Sequence, residues 1–500
     1  MDRTFASVDL GSNSFHLLIV DEQDGHLHVV DKIKERVLLA AGLTAERTLT
    51  AKAQRRALDC LEQFGHRLAR VPPENVRAVG TNTLRKASDG MAFIARAQDA
   101  LGHRIEIISG AEEARLVYLG VAHDLADDGE RRLVVDIGGG STECIVGEGQ
   151  NILRADSLYM GCVEYTRRFF IDDKLIGEHF DQATVASRLE LGSLHRAYKR
   201  LGWRHAYGSS GTINAVQDVL TANGKADHCI TLEGLDWLIG AMRRARKISR
   251  LSLNGLPRDR ANVFPGGVAI LRGVFRSLRL ERMVASGSAL REGVILDLIG
   301  RAVHADVRET TVQRMAERYG ADAEQAGRVE TLALALFEQA AGPWGLDPEE
   351  GARMLRWAAR LHEIGKAISY AGYHRHGSYL IANSDMPGFS RGEQALLAAM
   401  VLGVRRKLDI GRIRELAGLR TALAIRLTVL LRLAARLNRT RSPNPRPDIK
   451  LAVKGDQIHV TFPPTWLRER PLTRADLEGE ADRFASAGLS LTWGVSSRAR

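Results

Sequence analysis

Cysteine is scarce in this sequence, with four residues among 500: Cys60, Cys144, Cys162 and Cys229. They are far apart in the chain, and no Cys-x-x-Cys pair occurs. This spacing argues against a disulfide scaffold and against a cysteine-ligated zinc site. We therefore expect a protein of the reducing cytoplasm.

Long apolar runs are also absent. No window of about 18 uncharged apolar residues occurs, which predicts that the chain has no membrane span. The N-terminus, MDRTFASVDLGSNSFHLLIV, alternates apolar residues with Asp, Ser and Asn, a pattern typical of a strand and a turn rather than of a signal peptide. Peripheral association with a membrane is left open by these observations.

Charge is unevenly distributed along the chain. The formal net charge is +11, and residues 401–450 alone contain 13 basic and three acidic residues, with no Phe, Tyr or Trp. Two interpretations stay open: a solvated helix face, or a track that binds the phosphates of a polyanion without stacking on bases. The residues assigned to such a track are Arg405, Arg406, Lys407, Arg432, Arg436 and Arg439, of which the last three have helical spacing.

The composition, 45% hydrophobic and 26% charged, is that of a globular protein, and 500 residues are too many for one hydrophobic core. We predict two α/β domains over 1–125 and 126–302 and a helical domain over 303–440. A small β-containing domain over 441–500 follows, with a hairpin around a Gly-Asp turn. Pro443, Pro445 and Pro447 indicate a linker over 439–448.

The first two domains carry the same motif. Asp9–Ser14 (DLGSNS) aligns without gaps on Asp136–Ser141 (DIGGGS), and each segment stands between two predicted strands. In such a turn, small residues let backbone N–H groups converge on an anion, while the Asp can hold a cation or a water. Two facing copies would grip adjacent phosphates from both sides of a cleft. The GxGxxG and Walker A patterns predict other arrangements and do not fit here.

Periodicity predicts the elements around the first motif. Three short strands are expected at Thr4–Leu10, His16–Asp21 and Leu27–Ile33. Helices follow over Ala51–Ala69 and Leu84–Leu101. A further helix starts after Ser109, which precedes Glu112 by three residues and so suits an N-cap.

Seven motifs together resemble the exopolyphosphatase/guanosine pentaphosphate phosphohydrolase (Ppx/GppA) family of the actin–hexokinase–Hsp70 superfamily. They are VDLGSNSFHLLI, GTNTLR, IISGAEEARLVYLGV, VDIGGGSTE, MGCV, GSSGT and SGSALREGV. The resemblance is dense over residues 5–300 and looser beyond. It implies duplicated actin-like (ribonuclease H-like) α/β domains, then an all-α HD-like domain and a small β-rich C-terminal domain, and it implies a homodimer.

The resemblance also implies roles for particular residues. Glu113 would be the general base that orients and deprotonates a water, and the adjacent Glu112 competes on sequence alone, with a solvated first-turn carboxylate as its alternative role. Arg85 would offset charge on the terminal phosphate, or form a structural ion pair at a helix start. The implied phosphate-binding residues are Gly11, Ser12, Asn13, Ser14, Gly138, Gly139, Gly140, Ser141, Thr142, Ser210, Gly211 and Thr212.

A metal site is implied at Asp136, with Glu143 as a second acidic group unless it is a strand residue facing solvent. Mg²⁺ prefers few carboxylates together with phosphate oxygens and water; Mn²⁺ and K⁺ are open alternatives. In the helical domain, His362 and Glu363 occupy the place of the His-Asp pair of HD hydrolases, and His374 and His376 follow. Asn438 occupies the place of the later Asp of those enzymes. These departures favour a degenerate HD fold in which His362 packs between helices.

These observations predict an exopolyphosphatase that processively removes terminal phosphates from inorganic polyphosphate, with the basic stretch holding the polymer. The alternative is hydrolysis of guanosine pentaphosphate, alone or as a dual activity. Phosphotransfer to a nucleoside diphosphate is a third option. A function of another class is a non-catalytic protein that binds polyphosphate or nucleic acid.

Overall fold

The structure, a computed structural model, describes residues 3–23, 26–125, 129–227, 229–302, 306–442 and 448–496. The chain divides into two compact units, residues 1–306 and 307–500. Pro443, Pro445 and Pro447 of the predicted linker lie outside the described residues.

The first sheet has the strand order β3-β2-β1-β4-β5. β1 to β3 form an antiparallel meander, and β4 and β5 add in parallel. The strands are β1 Arg3–Leu10, β2 Phe15–Gln23, β3 His26–Glu35, β4 Val76–Gly80 and β5 Ile105–Ile107. The helices are α1 Ala51–Leu68, α2 Asn82–Lys86, α3 Gly90–Leu101 and α4 Gly110–His123.

One predicted helix of this region is wrong. The stretch Leu84–Leu101 forms two helices, α2 and α3, because the residues between them bond to another part of the chain. Ser88 donates its backbone N–H to the carbonyl of Arg47, and the carboxylate of Asp89 accepts the N–H of Leu49 at 3.1 Å. Periodicity within the stretch carries no signal of these distant bonds.

The second sheet repeats the first, with the order β10-β9-β6-β7-β8 and the same directions of pairing. The predicted duplication is therefore confirmed. The strands are β6 Arg131–Ile137, β7 Thr142–Glu148, β8 Asn151–Leu158, β9 His205–Ser209 and β10 Val284–Ala285. The helices are α5 Cys162–Phe169, α6 Gly177–Gly192, α7 His195–Leu201, α8 Ser210–Ala222, α9 Leu232–Ala245, α10 Phe264–Leu278 and α11 Leu290–Ala302.

The last helix of each half packs against the sheet of the other half. Val117 and Tyr118 of α4 lie in one apolar cluster with Val134 of β6, and Ile295 of α11 lies in another with Phe5 of β1. The two sheets are thereby held in one unit, with the carboxyl ends of β1 and β6 at the same cleft.

The second unit is helical up to its last fifty residues. Its helices are α12 Val307–Arg318, α13 Ala323–Trp344, α14 Pro348–Leu361, α15 Tyr373–Asn383, α16 Arg391–Gly403, α17 Ile410–Ala417 and α18 Thr421–Leu437. β11 Lys450–Lys454 and β12 Gln457–Phe462 form the predicted hairpin around Gly455, α19 spans Pro471–Ala485, and β13 Ser490–Val495 pairs in parallel with β12. One hydrophobic core runs through these helices and the small sheet.

The architecture is the predicted one: duplicated actin-like α/β domains, a helical region and a small C-terminal sheet. None of the described helices combines the length and the apolar character needed to cross a bilayer.

Candidate active site

Two hairpin turns of equal length meet at the ends of β1 and β6. The strand registers leave four residues in each turn, Gly11–Ser14 and Gly138–Ser141. The turns lie close together, since a Cβ added at Gly139 would stand 2.9 Å from the Cβ of Ser12. A side chain at position 139 would push the turns apart, so glycine is required by their approach.

The turns line a cavity of about 390 Å³, to which the start of α8 contributes a third segment. Eleven of the twelve residues predicted to bind phosphate line it: Gly11, Ser12, Asn13, Ser14, Gly138, Gly139, Gly140, Ser141, Ser210, Gly211 and Thr212. The structure corrects the prediction for Thr142. Its side chain is fully buried, and its hydroxyl donates to the carbonyl of Met160 at 2.6 Å.

The third segment stores backbone strain. Ser210 has a φ of 93°, in the left-handed region that favours glycine. Such a conformation costs about 1–3 kcal/mol and persists where the surroundings impose it. The Ser210 hydroxyl accepts the backbone N–H of Thr212 at 3.2 Å. The strained residue thus orders the first turn of α8 at the cavity wall.

Glu113 lies in the first turn of α4 and lines the cavity. As predicted, Ser109 caps this helix by accepting the backbone N–H of Glu112 at 3.1 Å. Burial raises the pKa of Glu113, and the nearby Arg85 guanidinium lowers it in part. A carboxylate whose pKa is raised in a cleft is suited to accept a proton.

Glu112 is not a solvated carboxylate, contrary to the alternative considered from the sequence. It is fully buried, and Arg115 donates to both of its oxygens, at 2.7 and 2.9 Å. Arg77 lies 3.7 Å from one of them. Glu112 is therefore part of an internal ion-pair network and does not line the cavity.

Arg85 is not among the residues that line the cavity. Its Nη1 donates to Glu113 Oε2 at 2.9 Å and to the carbonyl of Ile108 at 2.7 Å. Of the two roles considered from the sequence, the structure shows the ion pair. This pair fixes the orientation of the Glu113 carboxylate.

Four carboxylates gather around the cleft. Burial, followed by the charge of Glu113, raises the pKa of Asp136 to about 7. The same two causes raise the pKa of Asp9 to about 8 and, with Asp136, hold the pKa of Glu143 well above its usual range. Glu143 is buried, accepts the Ser157 hydroxyl at 2.8 Å and does not line the cavity, so it is not a strand residue facing solvent.

Asp9 was not assigned to the metal site, which named only Asp136 and Glu143, although the turn motif allowed its Asp to hold a cation. Asp9 lines the cavity together with Asp136, and its Oδ1 is buried without a hydrogen-bond partner. The duplication itself was a sufficient signal, because Asp9 aligns on Asp136.

A metal ion would have to share its coordination with the substrate. The described residues contain no group of three or more His, Cys, Asp or Glu side chains arranged to hold a metal. The unpartnered Oδ1 of Asp9 and the raised pKa values of Asp9 and Asp136 nevertheless suit a cation between these two carboxylates. Mg²⁺, which takes one or two carboxylates plus phosphate oxygens and water, fits this donor set.

Cationic side chains complete the cavity wall, and sequence reasoning did not assign them. Lys32 and Lys34 of β3, Arg260 and Arg291 line the cavity. Arg291 belongs to the motif SGSALREGV, and Lys32 and Lys34 are two residues apart and so lie on one face of a strand. The sequence therefore contained a signal for these three residues. No local pattern marks Arg260. The wall is thus suited to a highly charged anion.

The basic stretch of the second unit is exposed only in part, and the structure corrects the predicted track at Arg432. Arg432 is fully buried, pairs with Glu480 and donates to the carbonyl of Gly403 at 2.6 Å. Arg436 lies 2.7 Å from Glu480, and Arg439 pairs with Asp476 at 2.5 Å. Arg432 and Arg436 thus pair with the buried Glu480, so Arg432 cannot contact a polymer at the surface, whereas the ion pair of Arg439 is exposed.

The remaining track residues follow α16. Arg406 and Lys407 are exposed, and Arg405 lies over the rings of Tyr370 and Tyr373 at 5.0 and 5.1 Å from their centroids. These aromatic neighbours come from outside the basic stretch. Arg405, Arg436 and Arg439 also line a small cavity of about 150 Å³.

The HD-like positions are engaged by protein partners. His362 is buried with Nδ1 2.6 Å from the carbonyl of Ala359, in keeping with a packing role. Glu363 pairs with Lys366 and Arg441, each at 2.5 Å. His374 and Asn438 are also buried, and the Asn438 amide donates to the carbonyl of Ala434 at 2.9 Å, whereas His376 is half-buried.

Comparison with known proteins adds to this geometry. The sequence profile of the Ppx/GppA phosphatase family matches residues 18–302, and that of Ppx/GppA phosphatase, domain III, matches residues 307–481. The chain is 40% identical over 484 residues to the guanosine-5'-triphosphate,3'-diphosphate pyrophosphatase of Aeromonas hydrophila, covering 97% of both chains. The protein of that name from Vibrio cholerae is 40% identical over 98% of this chain and 97% of its own.

Solved structures resemble the first unit. An exopolyphosphatase from Cytophaga hutchinsonii is 26% identical with a TM-score of 0.55, over 60% of this chain and 98% of its own. The Ppx/GppA family member of Aquifex aeolicus is 24% identical with a TM-score of 0.51, over 60% of this chain and 99% of its own, and supports the fold alone.

Proposed function

Because the chain belongs to the Ppx/GppA phosphatase family, whose members hydrolyse phosphoanhydride bonds, we propose that it removes the terminal 5'-phosphate of guanosine 5'-triphosphate 3'-diphosphate. The observation that carries this proposal is the 40% identity to proteins named for that substrate over nearly the whole chain. The cavity between twin phosphate-sized turns, with Glu113 in its wall, supports the chemistry.

The polymer substrate is the second candidate. The relative named exopolyphosphatase matches only 60% of the chain, at 26% identity. The sequence-based preference for polyphosphate depended on a basic track, and two of its six residues, Arg432 and Arg436, pair with the buried Glu480. The exposed Arg406 and Lys407 still favour some contact with a long polyanion.

In the proposed reaction a water attacks the terminal phosphorus, and the bond from that phosphorus to the bridging oxygen breaks. Glu113 accepts a proton from the water while Arg85 holds its carboxylate in place. Backbone N–H groups of the turns bind the phosphate oxygens, and Lys34, Arg260 and Arg291 offset the charge on the leaving diphosphate.

Mg²⁺, for which Asp9 and Asp136 are the proposed protein ligands, would neutralise phosphate charge when bound. We propose Mg²⁺ as the ion, with Mn²⁺ and K⁺ as the alternatives.

The test compares orthophosphate release from guanosine pentaphosphate, inorganic tripolyphosphate and long-chain polyphosphate at equal concentrations of terminal phosphate. We expect kcat/KM for the nucleotide to be at least about tenfold higher, a difference of about 1.4 kcal/mol in transition-state binding. A higher kcat/KM for long polyphosphate would overturn the substrate proposal and establish the second candidate.

A further inference from the structure

A second, larger cavity lies in the second half of the first unit, away from the cleft. It has a volume of about 630 Å³ and is formed by α7, the start of β9 and the segment between α10 and β10. The cleft is lined by Ser210, directly after the carboxyl end of β9, whereas this cavity is lined by His205, Ala206 and Tyr207 of the strand itself. Two residues, Gly208 and Ser209, separate Tyr207 of this cavity from Ser210 of the cleft, a distance of about 10 Å along an extended chain.

The floor of this cavity is apolar and fixed. Ala206, Leu278 and Leu280 are buried members of the main core of this half. Trp203 packs against the same core and lines the cavity, and Tyr207, which packs against another apolar cluster, also lines it. A volume of this size with an apolar floor and aromatic side chains is typical of small-molecule sites.

The rim is cationic. Lys199, Arg204, Arg279 and Arg282 line the cavity with a single carboxylate, Glu281. Arg204 pairs with Glu130, outside the cavity, at 2.5 Å. Within the described chain, the other three cations have no carboxylate within ion-pair distance. The lining therefore carries uncompensated positive charge beside an aromatic floor.

The backbone at the rim is also strained. Arg279 ends α10 with a φ of 54°, in the left-handed region where glycine is usual. A glycine would close the helix at lower cost, and the arginine places a guanidinium at the cavity instead.

We propose that this cavity is a binding site for a nucleoside phosphate, with the base on Trp203 and the phosphates on Lys199, Arg279 and Arg282. An aromatic side chain can stack on any nucleobase, and uncompensated cations attract phosphate. The site is separate from the cleft and does not depend on the proposed function.

The test measures quenching of intrinsic tryptophan fluorescence by GDP, with guanosine and inorganic tripolyphosphate as partial probes, on the full chain. Trp203 and Trp237 are the two tryptophans of residues 1–306. We expect GDP to quench the wild type and the control W237F, and W203F to lose the quench. Calorimetry should show GDP affinity retained in W203F and lowered about tenfold in W203A, because stacking is lost.

A charge variant tests the phosphate end and remains informative if W203A does not fold. R282E should lower the affinity for GDP several-fold and leave the affinity for guanosine unchanged. The control is R244E, at an exposed position of α9 outside the cavity, which should change neither affinity. Phosphate release in the cleft should stay at the wild-type rate in all these variants. Unchanged GDP binding in both W203A and R282E would overturn the proposal.

Discussion

Glu112 and Glu113 are adjacent residues with different surroundings, because consecutive side chains on a helix point about 100° apart. Glu113 lines the cavity and is held by Arg85. Glu112 is buried beneath and is bound by Arg115 and Arg77. The structure thus places one carboxylate at the cavity, where we propose that it acts as the base, and the other in the ion-pair network of the fold.

Glu113→Gln should keep the fold and lose most hydrolysis. An amide retains the shape and the contact with Arg85 but cannot accept the proton of the attacking water. Loss of a general base lowers turnover about 100-fold or more. The measurement is kcat for orthophosphate release at saturating substrate, with circular dichroism to show that the variant is folded.

Glu112→Gln is the matched control. It should retain activity per folded molecule but lower the free energy of unfolding by about 3 kcal/mol, because the buried Arg77 and the half-buried Arg115 lose a charged partner. An equal loss of kcat in both variants would refute the assignment of the base to Glu113.

At the scale of elements, one ion-pair network ties β4, α4 and α11 together. The carboxylate of Asp297, on α11, accepts one hydrogen bond from Arg77 of β4 and another from Arg301, each at 2.7 Å. It also forms an ion pair with Arg115 of α4. Burial alone would raise the pKa of Asp297, but the three arginines lower it further than burial raises it, so it lies below its ordinary value of 3.8.

This network should make the first unit sensitive to acid. A carboxyl whose pKa is lower in the folded state contributes stability above its unfolded pKa and loses it as the pH falls through the folded value. The wild type should therefore be more stable than Asp297→Asn at pH 7, by about 3 kcal/mol. The difference should shrink below about pH 4. Urea unfolding at pH 7, 5, 4 and 3 measures it, and a pH-independent difference would contradict the assignment.

At the scale of the whole molecule, the excess of positive charge has two uses. Part of it lines the cleft, through Lys32, Lys34, Arg260 and Arg291. Another part is internal, where Arg432 of α18 pairs with Glu480 of α19 and joins the helical region of the second unit to its C-terminal segment. Net charge alone therefore overstates the surface available to a polyanion.

Arg432→Met should destabilise the second unit by about 3 kcal/mol, since Glu480 then loses a buried partner and two carbonyls lose their donor. Lys407→Ala, at an exposed position in the same stretch, should change stability by no more than about 0.5 kcal/mol. Chemical denaturation of the full chain measures both. Equal stability of the two variants would show that Arg432 is not structural.

The sequence predicted this fold and most of the cavity because strands, turns and helix caps are specified by residues close together in the chain. The four-residue turns of DLGSNS and DIGGGS recur between strands with period-two alternation. This duplicated pattern specifies a duplicated sheet. The Ser109 cap was predictable for the same reason, since a cap needs only a residue and the N–H three positions later.

The tertiary structure alone decided which charged residues line the cavity and which face one another. Arg85 and Arg432 pair with carboxylates 28 and 48 residues away, and Asp297 meets Arg77 from 220 residues away. Glu112 pairs with Arg115 on its own helix but also lies beside Arg77 of β4. A charged side chain is stable inside a protein only beside its counter-charge, and chain spacing does not reveal where that counter-charge lies. The sequence by itself therefore determined the sheets and their phosphate-sized turns, whereas the roles of the ionised groups followed from their packing.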